Sequence, residues 1–307
     1  MITVLAGGVG AARFLQGLAK IHPEEDIAVI SNTADDFEFY GLHISPDIDI
    51  VMYTLVGLVD EEKGWGIKQD TFYCQEMLGR FGYETWFKLG DRDLATHIFR
   101  TNQLGKGFKL SQVTRQLSKS LGLKVTILPM TDDRIETRIL TEESDIHFEE
   151  YMVKREMRDK VHSVKFLGVE KAEAGPGVIE SIQDAEAIIV APSNPIVSIG
   201  PILALKGIRN ALKASKGKVV AISPIIKGSA IKGPADRLMR SLGLEVSAFG
   251  VAQLYRDFLH GFVLDKLDED QKARVENLRL RVAATNTLMR NLEDKKGLAK
   301  TCLDLVH

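Results

Sequence analysis

The sequence has 307 residues, of which 45% are hydrophobic and 27% charged, and its formal net charge at pH 7 is −2. This length allows a large core, and no basic cluster points to a nucleic-acid partner. Cys74 and Cys302 form no CxxC pair, which argues against a disulfide framework or a zinc site. Prolines interrupt the most apolar stretch, 187–205, and no signal peptide is evident, so we expect a cytoplasmic protein without a membrane span.

The chain begins with a glycine loop between a strand pattern and a helix pattern. Apolar residues at 2–6 predict a strand, and the periodicity after Gly7, Gly8 and Gly10 predicts a helix to about residue 21. Glycine lets a ligand approach the backbone, and a helix N-terminus offers unpaired N–H groups, so a diphosphate is a natural ligand here. The third glycine of the dinucleotide fingerprint is missing and no P-loop sequence occurs, so a tight turn without a ligand is the alternative.

A polar segment follows the second predicted strand, 27–30. It contains Asn32 and four carboxylates, Asp35, Asp36, Asp47 and Asp49, and its turn signals predict a loop as far as Asp49. Ligands of open α/β sheets bind at the carboxyl ends of the strands, so we expect these acids to meet a ligand or a metal. A solvated loop with acids bonded to their own backbone is the alternative.

The middle of the chain carries a second group of charged candidates. Lys88, Asp91 and Arg92 lie just before a predicted helix, where Asp91 serves equally well as a helix cap or as a binding residue. The remaining predicted elements to residue 140 are helices at 50–58, 71–81 and 111–121 and strands at 125–128 and 135–140.

Residues 142–171 are charged and mixed, and we interpret them as a peripheral insertion in a single domain, 1–307. The α/β alternation then resumes, and Ser193, Asn194 and Ser198 place donors after a strand at 187–190. Lys227 follows the next strand and offers a cation for phosphate. Further strands are predicted at 164–167, 218–222, 244–246 and 262–264, and helices at 176–182, 235–242, 251–258 and near the C-terminus.

These patterns predict an α/β fold, a doubly wound, largely parallel Rossmann-like sheet with a peripheral α+β excursion. The strand-end loops suggest a phosphate-bearing, nucleotide-like ligand with Mg²⁺, because Mg²⁺ prefers carboxylate and phosphate oxygens. A diphosphate would be repelled by four aspartates unless a cation lay between them.

Six segments in this order resemble the 2-phospho-L-lactate transferase family of coenzyme F420 biosynthesis, and the resemblance runs nearly end to end. Ala11 and Ala34 stand where glycine is usual in that family, and both are small. The segments are GGVGAARFL (7–15), NTADD (32–36), ISPDID (44–49), LGDRDLATH (89–97), APSNP (191–195) and SPII (223–226).

The resemblance implies a Mg²⁺-dependent transfer from lactyl-2-diphospho-5′-guanosine to the terminal ribityl hydroxyl of the deazaflavin Fo, giving F420-0 and GMP. It implies that Asp35 and Asp49 are catalytic metal ligands, with Asp36 and Asp47 as supporting or alternative ligands, and that the protein is a homodimer. Asp49 and Lys88 would also face Fo. The implied substrate-binding residues are Gly7, Gly8, Gly10, Asn32, Asp36, Asp47, Asp49, Lys88, Asp91, Arg92, Ser193, Asn194, Ser198 and Lys227.

Three alternatives remain open at this point. The first is a nicotinamide-dependent oxidoreductase, which the glycine pair favours and the missing third glycine weakens. The second is a non-catalytic nucleotide-binding regulator with similar loops. The third is the same transfer from a phosphoenolpyruvate-derived guanosine diphosphate donor, which differs from the lactyl donor by two hydrogens that a binding pocket distinguishes weakly.

Overall fold

A computed structural model describes residues 1–306 of the chain. The strands are β1 (Ile2–Ala6), β2 (Ile27–Ser31), β3 (Phe37–Phe39), β4 (Leu42–Ile44), β5 (Thr126–Pro129), β6 (Glu136–Thr141), β7 (Asp145–His147), β8 (Val161–Leu167), β9 (Ala187–Val190), β10 (Lys218–Ile222), β11 (Ile225–Ile226), β12 (Ser229–Ala230), β13 (Gly261–Asp265) and β14 (Arg281–Thr285). The helices are α1 (Gly8–Leu18), α2 (Pro46–Leu55), α3 (Tyr73–Arg80), α4 (Asp91–Gly105), α5 (Leu110–Ser120), α6 (Val178–Gln183), α7 (Ile199–Ala204), α8 (Ile208–Ala214), α9 (Ala235–Ser241), α10 (Ala248–Tyr255), α11 (Lys272–Glu276) and α12 (Leu292–Val306).

Seven parallel strands form the central sheet in the order β14-β13-β10-β9-β1-β2-β5. Strands β1, β2 and β9 are buried along their whole length, which their continuous apolar sequences predict for a sheet covered on both faces. In β1, Val4 packs with α1, α2, α5 and α12 on one face, and Leu5 packs with α6, α7, α8 and α10 on the other. The predicted doubly wound α/β sheet is confirmed.

A separate antiparallel sheet with the order β7-β6-β8 covers the interval from Glu136 to Leu167. It begins before residue 142, the expected start of the insertion, because β6 pairs with β7 and β8 and not with the central sheet. A small core that includes Ile139, Phe148 and Tyr151 also contains Val197 and Leu238 from outside the excursion. The excursion is therefore packed against the rest of the chain.

Three local predictions were wrong. The helix α2 begins at Pro46, so Asp47 and Asp49 lie in its first turn instead of a loop; proline at this position and acids near the positive end of the dipole both favour a helix start. Residues 244–246 form no strand, and β14 was not predicted. β14 lies at the edge of the sheet, where only one neighbouring strand supports it.

None of the helices within residues 1–306 combines the length and the apolar character needed to cross a membrane.

Candidate active site

Three neighbouring strands of the central sheet bring the predicted loops together. The order β9-β1-β2 places the carboxyl end of β1, which leads into Gly7, between the ends of the other two strands. Asn32 directly follows β2, and Ser193 lies three residues after Val190, the last residue of β9. The Gly7 N–H donates to Ser193 Oγ at 3.3 Å and the Gly8 N–H donates to Asp47 Oδ1 at 2.7 Å. The glycine loop, the Asn32 segment and the Ser193 loop thus form one site.

Glycine is required in this loop by close packing. A Cβ at Gly7 would lie 2.7 Å from both Asp47 Oδ2 and Ser198 Cβ, and a Cβ at Gly10 would lie 2.3 Å from the carbonyl oxygen of Pro192. Gly8 has φ +71°, in the left-handed region that favours glycine. The three glycines therefore allow α1 to begin directly against the loop that follows β9.

Asn32 joins the two acidic segments. Its Nδ2 donates to Asp35 Oδ2 at 3.0 Å and to Asp47 Oδ2 at 2.9 Å, and its Oδ1 accepts the Ala34 N–H at 3.0 Å. Asp36 Oδ2 accepts the Ser45 hydroxyl at 2.6 Å and contacts His43 Nε2 at 3.0 Å. These bonds hold the carboxylates in place without neutralising them, except where His43 is protonated.

A fourth carboxylate, Glu149, joins Asp35, Asp36 and Asp47 from the excursion, and we call these four residues the acid cluster. All four side chains belong to residues that are at most 9% exposed. Asp35 Oδ1, Asp36 Oδ1 and Glu149 Oε2 are buried and have no hydrogen-bond partner among the described residues. Buried polar atoms are rarely left unpaired, so these oxygens point to a missing ligand.

The electrostatics of the cluster lead to the same conclusion. Burial raises the pKa of Glu149 to about 8, with repulsion from Asp47 and Asp36 adding to it. Burial also raises the pKa of Asp47 to about 6, although the Asn32 and Gly8 hydrogen bonds act in the opposite direction. Burial, followed by the charges of Asp47 and Glu149, raises the pKa of Asp35 well above its ordinary value. A bound cation would relieve this repulsion.

The oxygens of the acid cluster have the chemistry that Mg²⁺ requires, since Mg²⁺ is usually held by one or two carboxylates together with phosphates and water. Within residues 1–306, no group of three or more His, Cys, Asp or Glu side chains is already arranged as a metal site. The fit therefore rests on the unpaired buried oxygens of Asp35, Asp36 and Glu149.

Asp49 does not join the acid cluster. Both of its oxygens bond to the guanidinium of Arg100, a side chain with no exposed surface, and Arg100 Nη1 donates to Asp49 Oδ2 at 3.0 Å. His97 Nδ1 lies 3.7 Å from Asp49, and its Nε2 lies 3.3 Å from Asp93. The expectation that Asp49 ligates a metal and faces the acceptor does not match this geometry, because Arg100 already neutralises its charge and fixes α4 against α2.

Four other predicted binding residues contact parts of the chain other than the acid cluster. Asp91 accepts the N–H groups of Tyr73 and Cys74 at the start of α3, so it caps a helix, although not its own. The guanidinium of exposed Arg92 donates to the carbonyl oxygen of Lys68 at 3.4 Å. The other two residues are Lys227, whose N–H donates to Asp268 and whose Nζ lies 3.6 Å from Asp270, and Lys88, which is exposed beside Phe87.

The residue after Asp36 begins an aromatic group made of Phe37, Phe39, Tyr40, Trp86 and Phe87. The rings of Phe37 and Trp86 are stacked with centroids 6.0 Å apart, and the Phe39 and Trp86 centroids are 5.1 Å apart. All five side chains are half-buried. The hairpin of β3 and β4 and the 86–87 segment thus form a half-buried group of rings that begins one residue after Asp36 of the acid cluster.

Glu149 and the aromatic group were not predicted from the sequence. Glu149 lies in a charged segment, and nothing in its local pattern distinguishes it from exposed neighbours such as Glu143. The aromatic group was detectable from its two aromatic runs, 37–40 and 86–87, which flank the acids and the Gly90 turn. Asn194 was predicted, and its Oδ1 accepts the Ile196 N–H at 3.0 Å while its buried Nδ2 has no partner among residues 1–306.

Comparison with known proteins identifies relatives that match nearly the whole chain. A model of the 2-phospho-L-lactate transferase CofD family matches residues 2–296. The chain is 43% identical to a phosphoenolpyruvate transferase of Streptomyces griseus, with 100% of this chain and 98% of that protein covered. It is 43% identical to a 2-phospho-L-lactate transferase of Methanosarcina mazei, with 97% of each covered, and 40% identical to one of Methanocaldococcus jannaschii, with 99% and 97% covered.

A solved structure of a UPF0052 family protein from Bacillus halodurans is similar in fold, with a TM-score of 0.67, 16% identity and 98% of both chains covered. The match supports the architecture alone, since the sequences have diverged so far. The family match and the full-length relatives together establish that the chain belongs to the 2-phospho-L-lactate transferase CofD family and is a transferase.

Proposed function

We propose that the protein transfers the 2-phospholactyl group of lactyl-2-diphospho-5′-guanosine to the ribityl hydroxyl of the deazaflavin Fo, in a Mg²⁺-dependent reaction that gives F420-0 and GMP. The observation that carries the proposal is the acid cluster beside the glycine loop, with three buried carboxylate oxygens that lack partners. Such a cluster accommodates a diphosphate only together with a divalent cation.

The reaction is a displacement at phosphorus. The ribityl hydroxyl gives its proton to a carboxylate or to water and its oxygen forms a bond to the phosphorus that carries the lactyl group. The bond from this phosphorus to the bridging oxygen breaks, and GMP leaves with that oxygen. Enzymes accelerate such reactions mainly by positioning the reactants and stabilising the charge on phosphate oxygens. The unpaired oxygens of Asp35, Asp36 and Glu149 would hold Mg²⁺, which would neutralise charge at the diphosphate.

Different loops are proposed to bind different parts of the donor. The first-turn N–H groups of α1 that follow Gly8, whose own N–H donates to Asp47, and the free Nδ2 of Asn194 offer donors to the nucleotide. Ser193 fixes Gly7 through its hydroxyl, and Asn32 fixes Asp35 and Asp47. Their role is to hold the glycine loop and the acids in a constant geometry.

The aromatic group is proposed to bind the flat deazaflavin ring of Fo. Aromatic side chains stack on planar rings and contribute roughly 1 kcal/mol per pair beyond the burial of area. Phe37 directly follows Asp36, so a ring bound here would direct its side chain towards the acid cluster. This arrangement favours an aromatic acceptor over an aliphatic alcohol.

A coupled binding and turnover experiment tests the proposal. Fo fluorescence is titrated with protein, and formation of F420-0 is followed with Mg²⁺ and with EDTA, for the wild type, Asp35→Asn and Trp86→Ala. We expect Asp35→Asn to abolish turnover and Trp86→Ala to weaken Fo binding. Exposed Asp184, which makes no ion pair with the described residues, gives the control Asp184→Asn, with wild-type behaviour expected. Full turnover in EDTA, or no Fo binding by the wild type, would contradict the proposal.

A second donor is favoured by one specific finding. The phosphoenolpyruvate transferase of Streptomyces griseus and the 2-phospho-L-lactate transferase of Methanosarcina mazei are each 43% identical to this chain. An enolpyruvyl diphosphate donor is therefore the second candidate. Competition between equal concentrations of both donors, with products separated by mass, decides between them, because the products differ by two hydrogens.

We also propose that the protein is a homodimer, in line with the family resemblance. Sedimentation equilibrium of the full chain over a range of concentrations measures its mass against the 34.0 kDa of one chain. A single species with the mass of one chain at all concentrations would contradict the proposal.

A further inference from the structure

One face of α1 carries a positively charged side chain that has no partner. Val9, Arg13 and Gln16 recur at helical spacing and line the same small cavity of about 20 Å³. The half-buried Arg13 makes no hydrogen bond and no ion pair with any residue between 1 and 306. An arginine in this position has five N–H donors available to a ligand.

Two lysines lie near Arg13, and we call Arg13, Lys232 and Lys295 the cation group. Lys295 is only 6% exposed and donates to Gln16 Oε1 at 2.5 Å. The one acid lining the cavity is Glu61, whose side chain is 63% exposed and lies 3.9 Å from Lys295 Nζ. A single solvated carboxylate leaves an excess of positive charge in the group.

Lys232 reaches the start of α1 from the loop between β12 and α9. Its Nζ donates to the carbonyl oxygen of Lys63 at 3.4 Å. A Cβ at Gly64 would lie 2.5 Å from Lys232 Nζ and 3.6 Å from Val9 Cγ1, and Gly64 has φ +74°. Glycine at position 64 thus gives the lysine room to extend beside the first turn of α1.

The charges of the group repel one another. Burial lowers the pKa of Lys232, and the charge of Arg13 lowers it further. Burial also lowers the pKa of Lys295; Glu61 opposes this effect, while Arg13 adds to it. Like charges held together without matching acids are stabilised by a bound anion.

The cation group lies next to the acid cluster along α1. Gly8 contacts Asp47 of the acid cluster, and the adjacent Val9 neighbours Lys232 through Gly64. A ligand bound at the start of α1 would therefore have carboxylates on the side of Gly8 and cations on the side of Val9. A diphosphate with a divalent cation on one side and free phosphate oxygens on the other has this distribution of charge.

We propose that Arg13 and Lys232 bind the diphosphate oxygens of the guanosine-linked donor. The inference rests on the proposed function, since it assigns two further binding residues to the same nucleotide. Arginine binds phosphate through two parallel hydrogen bonds, and lysine binds it as a point charge. The pair takes over the phosphate-binding role that the sequence predicted for Lys227, which instead contacts Asp268 and Asp270.

Calorimetric titrations with GDP and with guanosine test the pair, using the wild type, Arg13→Gln, Lys232→Gln and Arg13→Lys, all with Mg²⁺ present. Loss of one charge-assisted hydrogen-bonding group is expected to weaken GDP binding about 10- to 100-fold. Guanosine binding should not change, because guanosine has no phosphate, and Arg13→Lys should recover part of the affinity. Thermal unfolding of each variant shows that it is folded.

Lys20 provides the matched control. It is exposed just beyond the end of the same helix and makes no ion pair within residues 1–306, so Lys20→Gln should bind GDP as the wild type does. GDP binding within about twofold of wild type in both test variants would overturn the site while leaving the proposed function standing. Equal weakening of GDP and guanosine would also overturn it. A wild type that binds no GDP would overturn the proposed function together with this site.

Discussion

Replacing Glu149 by Gln removes a carboxyl group whose ionisation the folded protein opposes, and we expect the change to stabilise the metal-free protein at neutral pH. Burial raises the pKa of Glu149 from 4.5 to about 8, and the charges of Asp47 and Asp36 add to the effect. The folded protein therefore holds this proton more tightly than the unfolded chain does. The contribution of Glu149 to the free energy of unfolding is highest below the pKa of the unfolded chain, and it falls as the pH rises from about 4.5 to about 8.

The size of the effect follows from the pKa. A difference of one pKa unit corresponds to about 1.4 kcal/mol. At pH 7 the contribution of Glu149 to the free energy of unfolding of the wild type is therefore about 3 kcal/mol lower than at pH 4.5. Glutamine does not ionise in either state. The free energy of unfolding of Glu149→Gln, measured relative to wild type, should therefore increase by about 3 kcal/mol between pH 4.5 and pH 7.

Urea denaturation in EDTA at these two pH values measures this difference. Glu143→Gln is the matched control, because Glu143 is exposed in the same excursion and is not part of the acid cluster. An equal gain in this variant would show that the acid cluster is not the cause. Excess Mn²⁺ should stabilise the wild type more than Glu149→Gln, because the variant has a neutral amide in place of one carboxylate ligand. An equal stability difference at both pH values would refute the reasoning that Glu149 is buried among other carboxylates.

Three further predictions follow from the site. Asp49→Asn should lower the free energy of unfolding by about 3–5 kcal/mol in urea denaturation, because it leaves the buried charge of Arg100 unpaired; wild-type stability would contradict this role. Gly10→Ala should destabilise by about 1–3 kcal/mol, since its Cβ would meet the Pro192 carbonyl, whereas Gly105→Ala, with no atom within 4 Å, should be tolerated. Mn²⁺ affinity measured calorimetrically should rise between pH 6 and pH 8 with release of protons, because carboxylates with pKa values of about 6 and about 8 must ionise; a flat profile would contradict this.

The sequence was sufficient to predict the central sheet because its strands are short, continuous apolar runs. Buried parallel strands such as β1, β2 and β9 leave a pattern that residue type alone reveals. Strand β14, which forms the edge of the sheet, has half-buried residues and lacks this pattern. The turn-like sequence around Pro46 concealed the start of α2, since proline and acids are typical both of turns and of first helical turns.

The site was predictable as far as it is built from loops that directly follow central strands. Gly7, Asn32 and Ser193 come together because β1, β2 and β9 are neighbours, and parallel strands end at the same edge. Contacts between distant parts of the chain were not predictable. Arg100 pairs with Asp49 across 51 residues, and Glu149 comes from the helical turn that follows β7 in the separate sheet.

The net charge of the chain is only −2, but folding brings its acidic and basic side chains together in two separate groups. Four carboxylates meet near Gly8, and three cations meet near Val9, although the residues concerned extend from position 13 to position 295. Each group alone is destabilised by repulsion, because burial and like charges shift its pKa values towards the neutral form. A ligand that carries a divalent cation at one end and free phosphate oxygens at the other relieves both groups at once. Under the proposed function, this charge separation would favour a metal-bound diphosphate over a neutral nucleoside or a simple alcohol, with the reacting phosphorus close to the start of α1.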